Sequence, residues 1–209
     1  MARRQRGTDE RRAELLEAAR RRFVRDGFAE VSVSRIVRDV GVAQGTFYYY
    51  FESKEAALDA LIEAYVRELA SRVQEVAREE ALDPRRALER MVRLELDFDE
   101  PRVRELGAIR GADAHTKLFA AALHTLAPIY AVVLKRGQER KLFLSGAPDL
   151  LGEIFALTTH TLLDRELLGW GDAEYARRRV ALADLLCSAI GVPTGSLDFG
   201  EAARTRRAR

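Results

Sequence analysis

Apolar residues recur every three to four positions along almost the whole chain, and nowhere do they alternate with polar residues over the length of a strand. A period near 3.6 lays one face of a helix against a core, whereas a half-buried strand needs a period of two, so the chain reads as all-α with about nine helices. Leu15, Leu16, Ala19 and Phe23 mark the inner face of the first, which stops near Asp26-Gly27. Ser32 precedes a short helix over Val33–Val40 with Ile36, Val37 and Val40 turned inward, and Gly41 breaks it. Further helices are expected over 43–51, 53–80, from 84 to before Pro101, 103–109, 115–140, 148–168 and 172–190. Capping residues, prolines at first turns and glycine stops set these limits. The helix over 115–140 contains Pro128, where a bend is expected.

Charge is distributed unevenly. Residues 1–54 carry 12 Lys/Arg against 8 Asp/Glu, and residues 55–203 carry 19 against 25. Arg204, Arg206, Arg207 and Arg209 then make the end basic again. A basic head on an acidic body suits a phosphate-binding module joined to a domain that does not touch nucleic acid. The single cysteine, Cys187, cannot form an intrachain disulfide and fits a reducing compartment. The basic start runs into a charged helix rather than an apolar signal core, and no 18 apolar residues run together. Export and a membrane span are therefore not expected, and the reading is cytoplasmic.

The segment SVSRIVRDVGVAQGTFYYYF, residues 32–51, meets the requirements of a helix-turn-helix. Ile36, Val40, Val42 and Phe47 are apolar where two short helices must pack across a tight turn, and Gly41 sits where that turn needs positive φ. The second helix then offers Gln44, Gly45, Thr46, Tyr48 and Tyr49 at the end that enters a major groove. Phe47 and Phe51 fall on the core side of the same helix.

The run GVAQGTFYYYFESKEAAL closely resembles the helix-turn-helix signature of the TetR (tetracycline-repressor) family, strongly over residues 11–65. That resemblance implies an N-terminal three-helix DNA-binding domain over 9–54 and a helical effector-binding and dimerisation domain over 55–192, while the segment 193–209 reads from the sequence as a loose, flexible tail. It implies Gln44 as the base reader, with an amide able to pair bidentately with adenine, and Gly45 as the point where backbone approaches a base. Thr46 and Tyr48 become phosphate-positioning hydroxyls, Lys54 a cationic phosphate clamp, and Tyr49, Tyr50, Ser34 and Arg35 further contacts. Two departures stand out. Ala43 replaces the usual Ser or Thr cap, and Val37 replaces a small alanine between the crossing helices.

Beyond the head, Leu88, Met91, Glu95 and Phe98 share one face of the fifth helix, so Glu95 interrupts an apolar stripe. If the stripe lines a pocket, Met91 and Phe98 would hold an apolar body and Glu95 a polar or cationic group, with Tyr65, Phe119, Tyr130, His124 or His160 completing the wall. The last two helices, 8 and 9 of the expected nine, are apolar on more than one side, which favours a homodimer built from both copies. His115, His124 and His160 have no metal-ligand spacing, and no nucleophile motif or glycine-rich phosphate loop is present, so neither an enzyme nor a cofactor or metal is expected. The expected function is a transcription regulator, a repressor of double-stranded operator DNA released by a small-molecule effector. The alternative is an effector-independent or architectural DNA-binding protein with the same reading head.

Overall fold

The computed structural model describes residues 2–97, 114–163 and 168–200, with side chains described for all of these except 2–8 and 97. The described residues form eight helices and no strand: α1 (Ala2–Asp26), α2 (Val33–Val40), α3 (Gln44–Tyr50), α4 (Lys54–Arg78), α5 (Pro84–Asp97), α6 (Ala114–Glu139), α7 (Pro148–Leu162) and α8 (Asp172–Ile190). The expected short helix over 103–109 and Phe98 lie outside them. The chain divides into two compact units, Met1–Tyr65 with Glu100–Leu118, and Val66–Asp99 with Phe119–Arg209. The division falls inside α4.

In the first unit, Leu15, Ala18, Ala19 and Phe23 of α1 are buried along one stripe with Phe28, Val31, Ile36, Val37, Phe47 and Phe51. Gly41 takes φ 75° and ψ 34°, and its amide caps α2 through the carbonyls of Val37 and Arg38. An L-residue with a Cβ pays for that conformation, so glycine fixes the turn between α2 and α3. Val37 is accommodated in the core at 6% exposure. Ser32 is the N-cap of α2, but its hydroxyl bonds Ser34 Oγ at 2.9 Å instead of a free amide, so the side-chain cap expected of it is absent. Ser53 does cap its helix, accepting from the Ala56 amide at 3.1 Å at the start of α4.

In the second unit, Asp83 Oδ1 accepts from the amides of Arg85 and Arg86 and opens α5 with Pro84 at its first position. Leu69, Val73, Leu88, Met91, Val92, Leu126, Tyr130, Val133, Leu134, Phe155 and Leu186 are buried in this unit. At Gly152 of α7, an added Cβ would run into Ala127 O of α6 and lie 3.0 Å from Ala131 N, so only glycine allows this close crossing. α7 stops at Leu162, well short of the expected 168. α6 runs through Pro128 and is long and apolar enough to cross a membrane by length and composition alone. Its Leu126, Tyr130, Val133 and Leu134 are fully buried in the unit's core, as a core helix requires.

The expected loose tail is corrected over residues 193–200. Leu197 and Phe199 are 3% and 2% exposed. Arg93 of α5 donates to Asp198 O at 2.8 and 3.1 Å and pairs with its carboxylate at 2.8 Å. Glu89, four residues earlier on the same face, accepts from the Asp198 amide at 2.8 Å, and the buried Arg179 of α8 donates to Phe199 O. This strap lies across α5 and α8 because its two apolar side chains bury and its backbone polar groups find partners.

Candidate functional site

The helix-turn-helix presents one face of α3 outward. Gln44, Gly45, Tyr48 and Tyr49 are exposed, Tyr49 at 75%, whereas Phe47 between them has no exposure. Tyr49 and Tyr50 meet edge to face at 4.9 Å, which orients both rings without burying Tyr49. Thr46 and Tyr50 are half-buried. Ala43 leaves the start of α3 without a side-chain cap.

α2 carries Ser34 and Arg35 on its exposed side. The Ser34 hydroxyl is shared with Ser32, and Arg35 Nη1 donates to Glu30 O at 3.3 Å. Arg22 of α1 forks onto Asp39 of α2 with bonds of 2.6 and 2.5 Å and reaches Asp26 at 3.1 Å. These bonds hold the Asp39 carboxylate below the usual range, with Arg22 as the principal cause. The clamp fixes α2 on α1 and neutralises an acid beside the basic head. Sequence reading missed it, although an acid following Arg35 and Arg38 was the available signal.

Lys54, expected to clamp a phosphate, turns its ammonium inward. Nζ donates to Phe28 O at 2.9 Å, Val31 O at 3.2 Å and Ala29 O at 3.3 Å, and sits 4.5 Å from the centre of the Phe28 ring.

The residues expected to line an effector pocket are only partly brought together. Glu95 is half-buried, and its carboxylate accepts from the Tyr130 hydroxyl on one oxygen and from Thr159 Oγ1 at 3.0 Å on the other. Burial pushes its pKa from 4.5 up to about 7, opposed by the two hydroxyl donors. Met91 and Tyr130 are fully buried, and the Tyr130 ring packs on Phe155 at 5.5 Å. Half-buried Phe119 meets His160 edge to face at 5.7 Å. His124 is exposed and does not face the interior: it lies two residues before buried Leu126, hence on the opposite side of α6. Tyr65 is buried in the first unit. Thr159 was missed, because a threonine's partner on a helix distant in sequence, here Glu95 of α5, leaves no trace in helical spacing.

On α7, Leu150, Ile154, Leu157 and Leu162 are large and exposed, as are Val180 and Leu185 on α8. Their companions Phe155, Leu182, Leu186 and Ile190 are buried. Among the described residues no group of His, Cys, Asp and Glu could hold a metal ion.

The family model described as "Bacterial regulatory proteins, tetR family" matches residues 15–61. The HTH-type transcriptional regulator EthR of Mycolicibacterium smegmatis is 25% identical over 164 residues, 77% of this chain and 74% of that protein. The HTH-type transcriptional repressor KstR2 of Rhodococcus jostii is 31% identical over 86 residues, 41% of this chain and 42% of its own length. Among solved structures, a TetR-family transcriptional regulator from Pectobacterium atrosepticum superposes with TM-score 0.69 at 21% identity, covering 90% of this chain and 97% of that one. SmeT, the repressor of the Stenotrophomonas maltophilia multidrug efflux pump SmeDEF, does so with TM-score 0.65 at 18% identity, covering 92% and 96%.

Proposed function

We propose that this chain, which belongs to the tetR family of bacterial regulatory proteins, is a cytoplasmic repressor that reads a palindromic operator with α3 and leaves it when a small molecule binds. It is a DNA-binding transcription regulator, not an enzyme. The observation that carries the reading is the exposed row Gln44, Gly45, Tyr48 and Tyr49 on a helix whose other side is anchored by Phe47 and Phe51. Gln44 supplies base readout. Thr46, Tyr48, Tyr49, Tyr50, Ser34 and Arg35 supply phosphate and groove contacts.

Such regulators act as dimers, and the exposed leucines, isoleucine and valine of α7 and α8 support a four-helix interface between two copies. The effector site we place around Glu95, with Met91 as apolar wall and Phe119 and His160 nearby in the same unit. Its partners among the described residues are two hydroxyls, and a carboxylate held this way suits a ligand that brings a positive charge or hydrogen-bond donors. Binding then shifts the population from a DNA-competent to a released state. One observation favours the effector-independent alternative: Met91 and Tyr130 are already fully buried, and both Glu95 oxygens are already bonded within the protein.

Selection of bound duplexes from a randomised library tests the reading. Enrichment of an inverted repeat bound by two protomers is expected, and recovery of random sequence would refute it. Thermal-shift and DNA-release screening against small amines and uncharged amphiphiles separates the two regulatory readings: a compound that both stabilises the protein and releases the selected duplex is expected.

A further inference from the structure

The Lys54 ammonium has three N–H donors, and three backbone carbonyls converge on it. All three belong to the segment between α1 and α2. There Gly27 takes φ 83° and its amide closes α1 on Phe23 O, and the Val31 amide turns back onto Phe28 O at 3.3 Å. A turn that aims the oxygens of Phe28, Ala29 and Val31 at one point concentrates negative potential, which the half-buried Lys54 ammonium relieves. The Phe28 ring, packed at 5.0 Å on Phe23, closes the remaining side of the ammonium.

We infer that Lys54 is a positioning residue for DNA reading: its ammonium fastens the α1–α2 turn to the first turn of α4, and thereby sets where α2 begins and how the helix-turn-helix is presented. Ser32, the residue from which α2 starts, directly follows Val31, the last of the three anchored carbonyls. Arg35, one turn into α2, is tied to the carbonyl of Glu30 in the same segment. Lys54 therefore reaches the reading head through the turn. To donate to a phosphate it would have to give up at least one of the three carbonyls.

The inference rests on α2 and α3 being the DNA-reading head, and the test keeps the two apart. The full-length protein, its Lys54→Met variant, which keeps the aliphatic stem, and its Lys54→Arg variant, which keeps the charge, are titrated with two duplexes over a range of salt. One duplex is that selected by the wild type from a random library, and the other is a scrambled duplex of equal length. Amide hydrogen exchange over residues 27–32 is measured on the free proteins. Both variants should bind the selected duplex at least about tenfold more weakly, a loss of the order expected for a charge-assisted hydrogen bond. Binding to the scrambled duplex and the salt slope should not change, and exchange over 27–32 should accelerate without DNA. A planar guanidinium cannot meet three converging carbonyls, so retained charge should not rescue.

A phosphate clamp gives a different result: uniform loss on both duplexes in Lys54→Met, a log–log salt slope reduced by about 0.9 per head, and wild-type behaviour in Lys54→Arg. Any of these overturns the inference, as does unchanged exchange over 27–32 or a lower melting temperature with the selected-to-scrambled ratio intact. If Lys54→Met does not fold, Lys54→Arg and the exchange data decide alone. If the wild type selects no sequence, the reading of α2 and α3 fails instead, while exchange still tests whether Lys54 fastens the turn.

Discussion

Replacing Glu95 by glutamine should make the protein more stable in mild alkali and change the shape of its pH–stability curve. In the folded chain the carboxyl holds its proton to about pH 7, whereas the unfolded chain releases it near 4.5. Between these values the folded state binds more protons. The contribution of Glu95 is therefore fully present below 4.5 and is lost as pH rises through about 7. At 1.36 kcal/mol per pK unit, the interval corresponds to about 3 kcal/mol. Glutamine keeps an acceptor for the Tyr130 hydroxyl and removes the ionisation. Thr159 stays satisfied through its 2.7 Å bond to Phe155 O. Urea unfolding of both proteins at one fixed protein concentration, at about pH 5 and about pH 8, reads the effect directly. Between those two pH values the variant minus wild-type difference should grow by about 2.5 kcal/mol in the variant's favour, and the histidines, common to both proteins, cancel. Parallel curves across that range would refute the enclosure of Glu95 by Tyr130 and Thr159.

Three further outcomes follow from the packing. Gly152→Ala should lower stability by about 1–3 kcal/mol in a thermal or urea melt, because the new methyl meets the α6 backbone at Ala127. Phe199→Ala should cost about 3 kcal/mol, and hydrogen exchange along α5 should quicken with it; a tail that carries no load would show neither change. Leu185→Glu should leave a folded monomer by sedimentation and abolish tight operator binding, and a mutant that remains dimeric would remove α8 from the interface.

Local chemistry made the head legible. Gly41, the apolar positions around it and the exposed row on α3 are set by neighbours within a turn or two, so spacing alone gives α2 and α3 and the burial of Phe47 and Phe51. The stripe of Leu88, Met91 and Glu95 marks Glu95 as an interruption of an apolar face, but spacing leaves open whether it turns inward or reaches solvent, and to what it bonds. Its partners, Tyr130 and Thr159, come from α6 and α7, and helical periodicity does not specify which faces of distant helices meet. His124 shows the same limit, since a histidine in an apolar helix reads as lining until the helix's rotation is known. The segment after Pro193 reads as loose from its Pro, Gly and Ser, and its two apolar residues, Leu197 and Phe199, are the signal that it is held. Lys54 reads as a surface cation because its partners are carbonyls, which no side-chain pattern reveals.

The most direct test of the account is the base-preference profile of Gln44→Ala beside that of the wild type, measured on a library of single-base variants of the selected duplex. If α3 reads sequence through Gln44, the variant should lose discrimination at one symmetry-related position in each half-site, worth about 1–3 kcal/mol, and keep its preferences elsewhere. Identical profiles for the two proteins would contradict the assignment of base reading to the exposed face of α3.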